Sequence, residues 1–205
     1  MRASVKNSFH KSRLGLAELL ALLVAGLIVA GIATSLWADE EKAEKKETKK
    51  EELTAQVKEA KDAFLKQDKE MKGLFDKSPG YVIFPSVAKG AVGIGAAMGD
   101  GQVFEKDKLV GKAKLTQGSI GLQLGGQVYS EVIFFEDQKW LDDFKKSNVE
   151  LAAQVSAVAA ASGASKDAKY VNGVLVFTMA KEGLMFEASV GGQKLKYEAY
   201  ASEKK

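Results

Sequence analysis

The longest regular pattern in the chain is GSIGLQLGGQVYSEVIFFE, residues 118–136. Even positions from Ile120 to Phe134 are apolar or small. Odd positions from Ser119 to Glu131 are small or polar, before Ile133 and Phe135 turn apolar. A period of two belongs to a half-buried β-strand, not to a helix. A straight strand of that length would run roughly 60 Å, well beyond the usual ~17–20 Å. The chain must therefore bend, and Gly125-Gly126 is the expected place. Apolar parity survives the glycine pair, which favours a bent strand over a hairpin. Nearer the C-terminus Leu184, Phe186, Ala188 and Val190 are even, whereas Leu195, Tyr197 and Ala199 are odd. That flip, around Gly191-Gly192, predicts a bulge or a turn.

Upstream the period changes to that of a helix. Leu53, Val57, Ala60, Phe64, Met71, Leu74 and Phe75 fall at spacings of three, four and seven, an apolar stripe on a charged rod. The polar face mixes both signs of charge, which favours packing on a core over lying on a membrane. Ser78-Pro79-Gly80 ends this pattern. Short strands are then expected at Tyr81–Phe84, stopped by Pro85, and at Ala91–Met98, with Gly99-Asp100-Gly101 turning into Gln102–Glu105. Leu109–Leu115 is a further candidate strand. Asp137 is placed to cap a helix reaching Lys146, with Trp140, Leu141 and Phe144 on one face. Val149–Ala161 alternates as a strand would, although its alanines also suit a helix, and the strand reading is preferred. Gly173–Met179 reads as a central strand, Ala180–Gly183 as a turn, and a last strand ends at Tyr200. The fold class expected is α+β: an N-terminal amphipathic helix packed on a strongly curved, mostly antiparallel, glycine-rich sheet, barrel-like if the curl closes.

Three segments differ in composition. Residues 1–38 combine a basic start (Arg2, Lys6, Lys11, Arg13) with an uninterrupted apolar and small run, Leu19–Trp37. This reads as a signal peptide cleaved after Ala38, or as a retained membrane anchor, and either places the globular part outside the cytoplasm. Residues 39–52 are mostly Glu and Lys, a solvated linker or a frayed helix start. Residues 53–205 form the folded domain. Losing residues 1–38 removes four basic residues and one acidic residue, which brings the formal net charge from +3 to zero. The basic balance of the whole chain therefore belongs to its leader. A neutral domain has no global field to attract nucleic acid, and none is expected as a partner.

The 205 residues include no cysteine and a single histidine, His10, inside the leader. Disulfides, thiolate nucleophiles and histidine-based catalysis or metal sites are thereby excluded from the domain, and no cofactor is expected. The glycines around Gly93 and Gly95 do not make a nucleotide fingerprint, because Met98 takes the third position and the segment alternates like a strand. They read as glycines relieving crowding in a curved sheet. Ser130 and Glu131 are successive strand residues and point to opposite faces, so they cannot cooperate directly. The polar odd row is either solvent-facing or a hydrogen-bonded network inside a curled sheet. A hydrolase would need Ser130 beside a lysine in a cleft. No enzyme is expected.

Three segments, GYVIFPSVAKGAVGIGAAMGDGQVF, GLQLGGQVYSEVIFFE and GLMFEASVGGQKLKY, resemble in order the SYLF domain of the actin-patch regulator family, in its exported bacterial branch. The likeness covers about Leu53 to Tyr200. It implies a lipid-binding domain, since eukaryotic members recognise phosphoinositides and attach to membranes partly through an N-terminal amphipathic segment. This chain shows no SH3-like stretch, and it reads LVGKAKL where those proteins carry a Trp-Ser motif. Actin regulation and phosphoinositide specificity are not carried over. The expected partner is a phospholipid or membrane surface. Lys89, Lys112 and Lys114 are candidate headgroup contacts, although ordinary solvated lysines would look the same. The stripe Leu53, Val57, Phe64, Leu74 and Phe75 is the alternative contact. The competing reading is a structural cell-envelope protein that acts through protein contacts without a specific lipid.

Overall fold

The computed structural model describes residues 16–146, 149–151, 158–159 and 162–200, with side chains over 41–90, 95–118, 125–146, 162–181 and 192–200. The chain divides into two compact units, residues 1–49 and 50–205. Helix α1, Leu16–Gln67, runs through both and contains the Leu19–Trp37 stretch. It is followed by α2, Met71–Lys77, and then by two long strands, β1 (Gly80–Glu105) and β2 (Lys108–Phe135). Helix α3, Gln138–Lys146, precedes β3 (Val149–Leu151), β4 (Val158–Ala159) and a third long strand, β5 (Val174–Ala199).

The sheet order is β1-β2-β5-β3, with β4 parallel to β5 and every other pairing antiparallel. Each long strand is continuous but bent, so the three-stranded ribbon folds over on itself. Residues 80–92, 124–135 and 174–186 form one layer, and residues 94–105, 108–120 and 190–199 the other. At the bend β1 takes the shorter path. Val92 pairs with Leu124 and Ile94 with Ile120, leaving three β2 residues opposite one of β1, while β2 and β5 stay in unbroken register. Gly125 sits there at φ 123°, as expected of the glycine pair.

The interior between the layers is one apolar cluster. Val82, Phe84, Ile133, Phe135, Val174 and Val176 come from the first layer, and Ala97, Val103, Ala113, Leu115 and Leu195 from the second, with Leu141 and Phe144 of α3 among them. A second cluster buries the other face of the first layer: Tyr81, Ile83, Val132, Phe134, Leu175 and Phe177 with Val57, Ala60 and Phe64 of α1 and Met71 and Phe75 of α2. Both faces of the first layer are therefore apolar where β2 ends, which is why strict alternation fails at Ile133 and Phe135.

Several expectations are corrected. The sheet does not close into a barrel; its interior is filled by layer-on-layer packing instead of edge-to-edge pairing. Gly99-Asp100-Gly101 is not a turn. A β-carbon at Gly99 would lie 2.8 Å from Ser86 O, and one at Gly101 2.6 Å from Ile83 O, so these glycines admit the opposing layer. The turn lies at Lys106-Asp107, both residues at positive φ, which joins β1 to β2 by two residues. Pro85 does not stop the strand. It sits in a bulge, where Pro85 and Ser86 lie between the pairs Phe84↔Glu131 and Val87↔Tyr129, and its missing N–H costs no ladder bond.

Ala180–Gly183 is likewise part of β5. Its bulge is at Lys181, with Tyr129 opposite Ala180 and Val128 opposite Glu182. Register runs unbroken through Gly191-Gly192, so the bulge or turn expected there does not form, and the apolar parity changes along a continuous strand as it passes from one layer to the other. The helical stripe is broken at Asp68, between α1 and α2. Asp137 caps α3, its Oδ1 accepting the Trp140 N–H at 3.0 Å. Within 149–161 the described residues are strand, and residues 152–157 and 160–161 lie outside the description.

Candidate membrane-facing surface

Alternation in KAKL (residues 112–115) and KLKY (194–197) decides which face of the second layer meets water. Ala113, Leu115 and Leu195 point into the interior cluster, and Tyr197 packs against it. Lys112, Lys114, Lys194 and Lys196 therefore share the opposite, exposed face. Ladder register orders this face into rows. Gln102, Lys112 and Glu198 form one, in which Gln102 is fully buried and donates through Nε2 to Thr54 Oγ1 of α1 at 2.7 Å. Asp100, Lys114 and Lys196 form the next, and Met98, Thr116 and Lys194 the third. Ala96, Gly118 and Gly192, all exposed, follow towards the bend. Lys112 Nζ lies 3.1 Å from Glu198 Oε2. Lys114 has Asp100 on one side but Lys196 directly opposite on the other, a like-charge pair that disfavours the ladder. Met98, 58% exposed, is the most exposed large apolar side chain described.

Of the residues singled out from sequence, Lys112 and Lys114 meet on this surface. Lys89 does not; it is half-buried on β1 opposite Gln127, towards the other layer. Val57, Phe64 and Phe75 are buried in the second cluster, with Leu53 and Leu74 partly buried against it. Lys194 and Lys196 were missed. Their signal is the same lysine–apolar alternation as in KAKL, but only the β2–β5 register joins the two pairs.

The interior holds a different polar site. Glu131 is 0% exposed, and its Oε2 accepts a bond from Gln193 Nε2 at 2.9 Å, while Oε1 is buried without a hydrogen-bond partner among the described residues. Burial raises the Glu131 pKa to about 7, against the opposing Gln193 bond. Ser130 faces away and donates to Pro85 O at 2.8 Å, a bulge-fixing bond; Lys181 Nζ reaches the same carbonyl at 3.2 Å. Ser130 thus serves the backbone of the bulge. Among the described residues no group of three or more His, Cys, Asp and Glu could hold a metal ion.

A third polar group fixes the β1–β2 turn. Lys61 Nζ lies 2.7 Å from Asp107 Oδ1 and 2.8 Å from the Tyr81 hydroxyl, which itself donates to Asp107. The Lys61 and Tyr81 bonds hold the Asp107 carboxyl below the ordinary aspartate value, and burial with that bond drives the Tyr81 pKa far upward. This arrangement positions a turn.

Residues 116–204 match the family described as Las17-binding protein actin regulator, Ysc84. The match is to the SYLF-domain family over that segment. A relative, Beta cell expansion factor A of Aeromonas veronii, is 31% identical over 124 residues, 59% of this chain and 46% of that protein. The alignment thus spans about half of the relative's length. Lys194 and Lys196 lie inside the matched SYLF segment, whereas Lys112 and Lys114 stand just ahead of it. Among the residues whose side chains are described, no helix is long and apolar enough to cross a membrane.

Proposed function

We propose that this is an exported, non-enzymatic SYLF domain that binds the surface of a phospholipid membrane, presenting the lysine-bearing face of its second layer to anionic headgroups. The observation that carries this reading is the opposition of Lys114 and Lys196 on an exposed face, between Lys112 on one side and Lys194 and Met98 on the other. Like charges placed opposite each other cost ladder stability, and an anionic surface relieves that repulsion. The lysine rows stand beside small exposed residues, and the same ladder continues through Ile120↔Val190. Because the domain is neutral without residues 1–38, this attraction is local and short-ranged.

Residues 1–38 supply the export signal, cleaved after Ala38 in this reading, or retained as an anchor. The family's description names actin regulation, but an exported domain would not meet cytoplasmic actin. The test is co-sedimentation of residues 39–205 with neutral and anionic vesicles at low and moderate salt. Binding is expected to anionic vesicles, weakened by salt, and the double substitution K114E/K196E should reduce it at least about 30-fold, at ~1 kcal/mol per lysine lost. Equal binding by that variant would remove the lysine face from the proposal. No binding to any vesicle would remove the membrane function and leave a structural envelope role.

A further inference from the structure

The Glu131–Gln193 bond is not part of any strand ladder. Glu131 pairs on the ladder with Phe84 and Thr178, and Gln193 with Gln117 and Leu151. Glu131 belongs to the first layer of the folded ribbon and Gln193 to the second, so their hydrogen bond spans the interior between the layers. Around it the contact is otherwise apolar, through Phe84, Tyr129, Ile133 and Leu195. A buried carboxyl with one oxygen bonded and the other unmet is tolerable when neutral and costly when ionised.

Among the described residues, the bond that Glu131 receives comes from Gln193 and not from a charged or titratable group on a neighbouring element. On β1, Lys89 stands opposite Gln127, four positions from Glu131 along β2. On β5, Lys181 is bonded to Pro85 O, and Lys194 and Lys196 have their side chains on the outer face. On α3, Lys145 is paired with Glu105 at 2.8 Å. Tyr129 and Tyr197 border the same cluster. Among the described residues, burial and the Gln193 bond are the influences on Glu131.

We propose that Glu131 is a proton-controlled clasp between the two layers of the folded sheet: neutral Glu131 holds the layers closed, and its ionisation lets them part and exposes the inner face. The sign follows from linkage. The closed state binds the proton more tightly than an open state with an ordinary glutamate, so opening becomes easier as pH rises from about 4.5 towards 7 and levels off above that.

The chain has no cysteine, so an introduced thiol reports opening directly. In the full-length chain, Ala97→Cys places a thiol in the inner cluster, Ala96→Cys supplies an exposed reference, and Ala60→Cys marks the second cluster. The labelling rate of Ala97→Cys relative to Ala96→Cys should rise by up to about tenfold per pH unit across that window. In a Glu131→Gln background the ratio should be flat. Ala60→Cys should label at least about tenfold more slowly than Ala97→Cys throughout, because its cluster is built by α1 and α2 on the first layer and, among the described residues, only Phe104 reaches it from the second. A pH-independent parent ratio, a slope that persists in Glu131→Gln, or equal rates at Ala60→Cys and Ala97→Cys would each overturn the clasp. If Glu131→Gln fails to fold, Gln193→Leu decides. Removing that bond should carry the plateau to higher pH, and an unmoved plateau would refute the proposal.

Discussion

At Gly101 a methyl group would come within 2.6 Å of both Ile83 O and the Phe84 ring, and neither neighbour can move without disturbing the other layer. Gly101→Ala should therefore destabilise the domain by about 1–3 kcal/mol in urea denaturation, through overpacking and not through any change in backbone preference. A loss below about 0.5 kcal/mol would mean that the layers are looser than this contact implies. The same residue illustrates a limit of local reading. Gly-Asp-Gly carries a strong turn signal, whereas the true turn, Lys106-Asp107, carries none of its glycines. What holds those two residues at positive φ is distant in sequence: Lys61 on α1 and Tyr81 at the start of β1.

At the scale of elements, Asp68 has a part that no periodicity could suggest. It is 1% exposed, and its carboxylate accepts the Glu70 N–H at 3.1 Å and the Ser165 N–H at 2.8 Å, tying the α1–α2 break to the turn before β5. Burial alone would raise its pKa, but backbone bonds from Ser165, Glu70 and Gly163 together hold it below the ordinary value. A depressed folded-state value means that this stabilisation is present above the unfolded pKa of 3.8 and is lost as pH falls through the folded one. Asp68→Ala should cost about 2–4 kcal/mol at neutral pH, since two buried N–H groups lose a charged acceptor. It should also flatten the acid limb of a stability–pH curve; an unchanged acid limb would assign that limb to other carboxylates. The helical stripe itself was legible, and so was α3 with its Asp137 cap. The break was not, because Asp68 answers to a turn 97 residues away.

For the whole molecule, the proposed export of residues 39–205 makes the sharpest claim. Cleavage should leave a chain beginning at Asp39, which N-terminal sequencing or intact mass of the exported protein would establish. A chain that retains residues 1–38 would instead be anchored by the Leu19–Trp37 run. In either case the attraction to anionic vesicles should follow the lysine face and not the net charge, which is zero for residues 39–205. The lysine face and the buried Glu131 lie on opposite sides of the same strands. Alternation along β2 and β5 thereby keeps a cationic outer surface and a buried carboxyl within one ribbon.

The sequence by itself determined the period of each segment, the bend at Gly125-Gly126, the α+β class, the cap of α3 and two of the four surface lysines. These follow from local rules: side-chain alternation, glycine at a bend, and a capping carboxylate one turn from its N–H. Tertiary structure alone decided that the apparent short strands are three long ones folded in half, that Gly99 and Gly101 are contact points between layers, and that β5 keeps its register through Gly191-Gly192. It also decided that Lys114 faces Lys196 and that Glu131 meets Gln193, because each depends on register between segments about 60 to 80 residues apart. Such register is set by the summed fit of two buried faces, a quantity that no single segment carries.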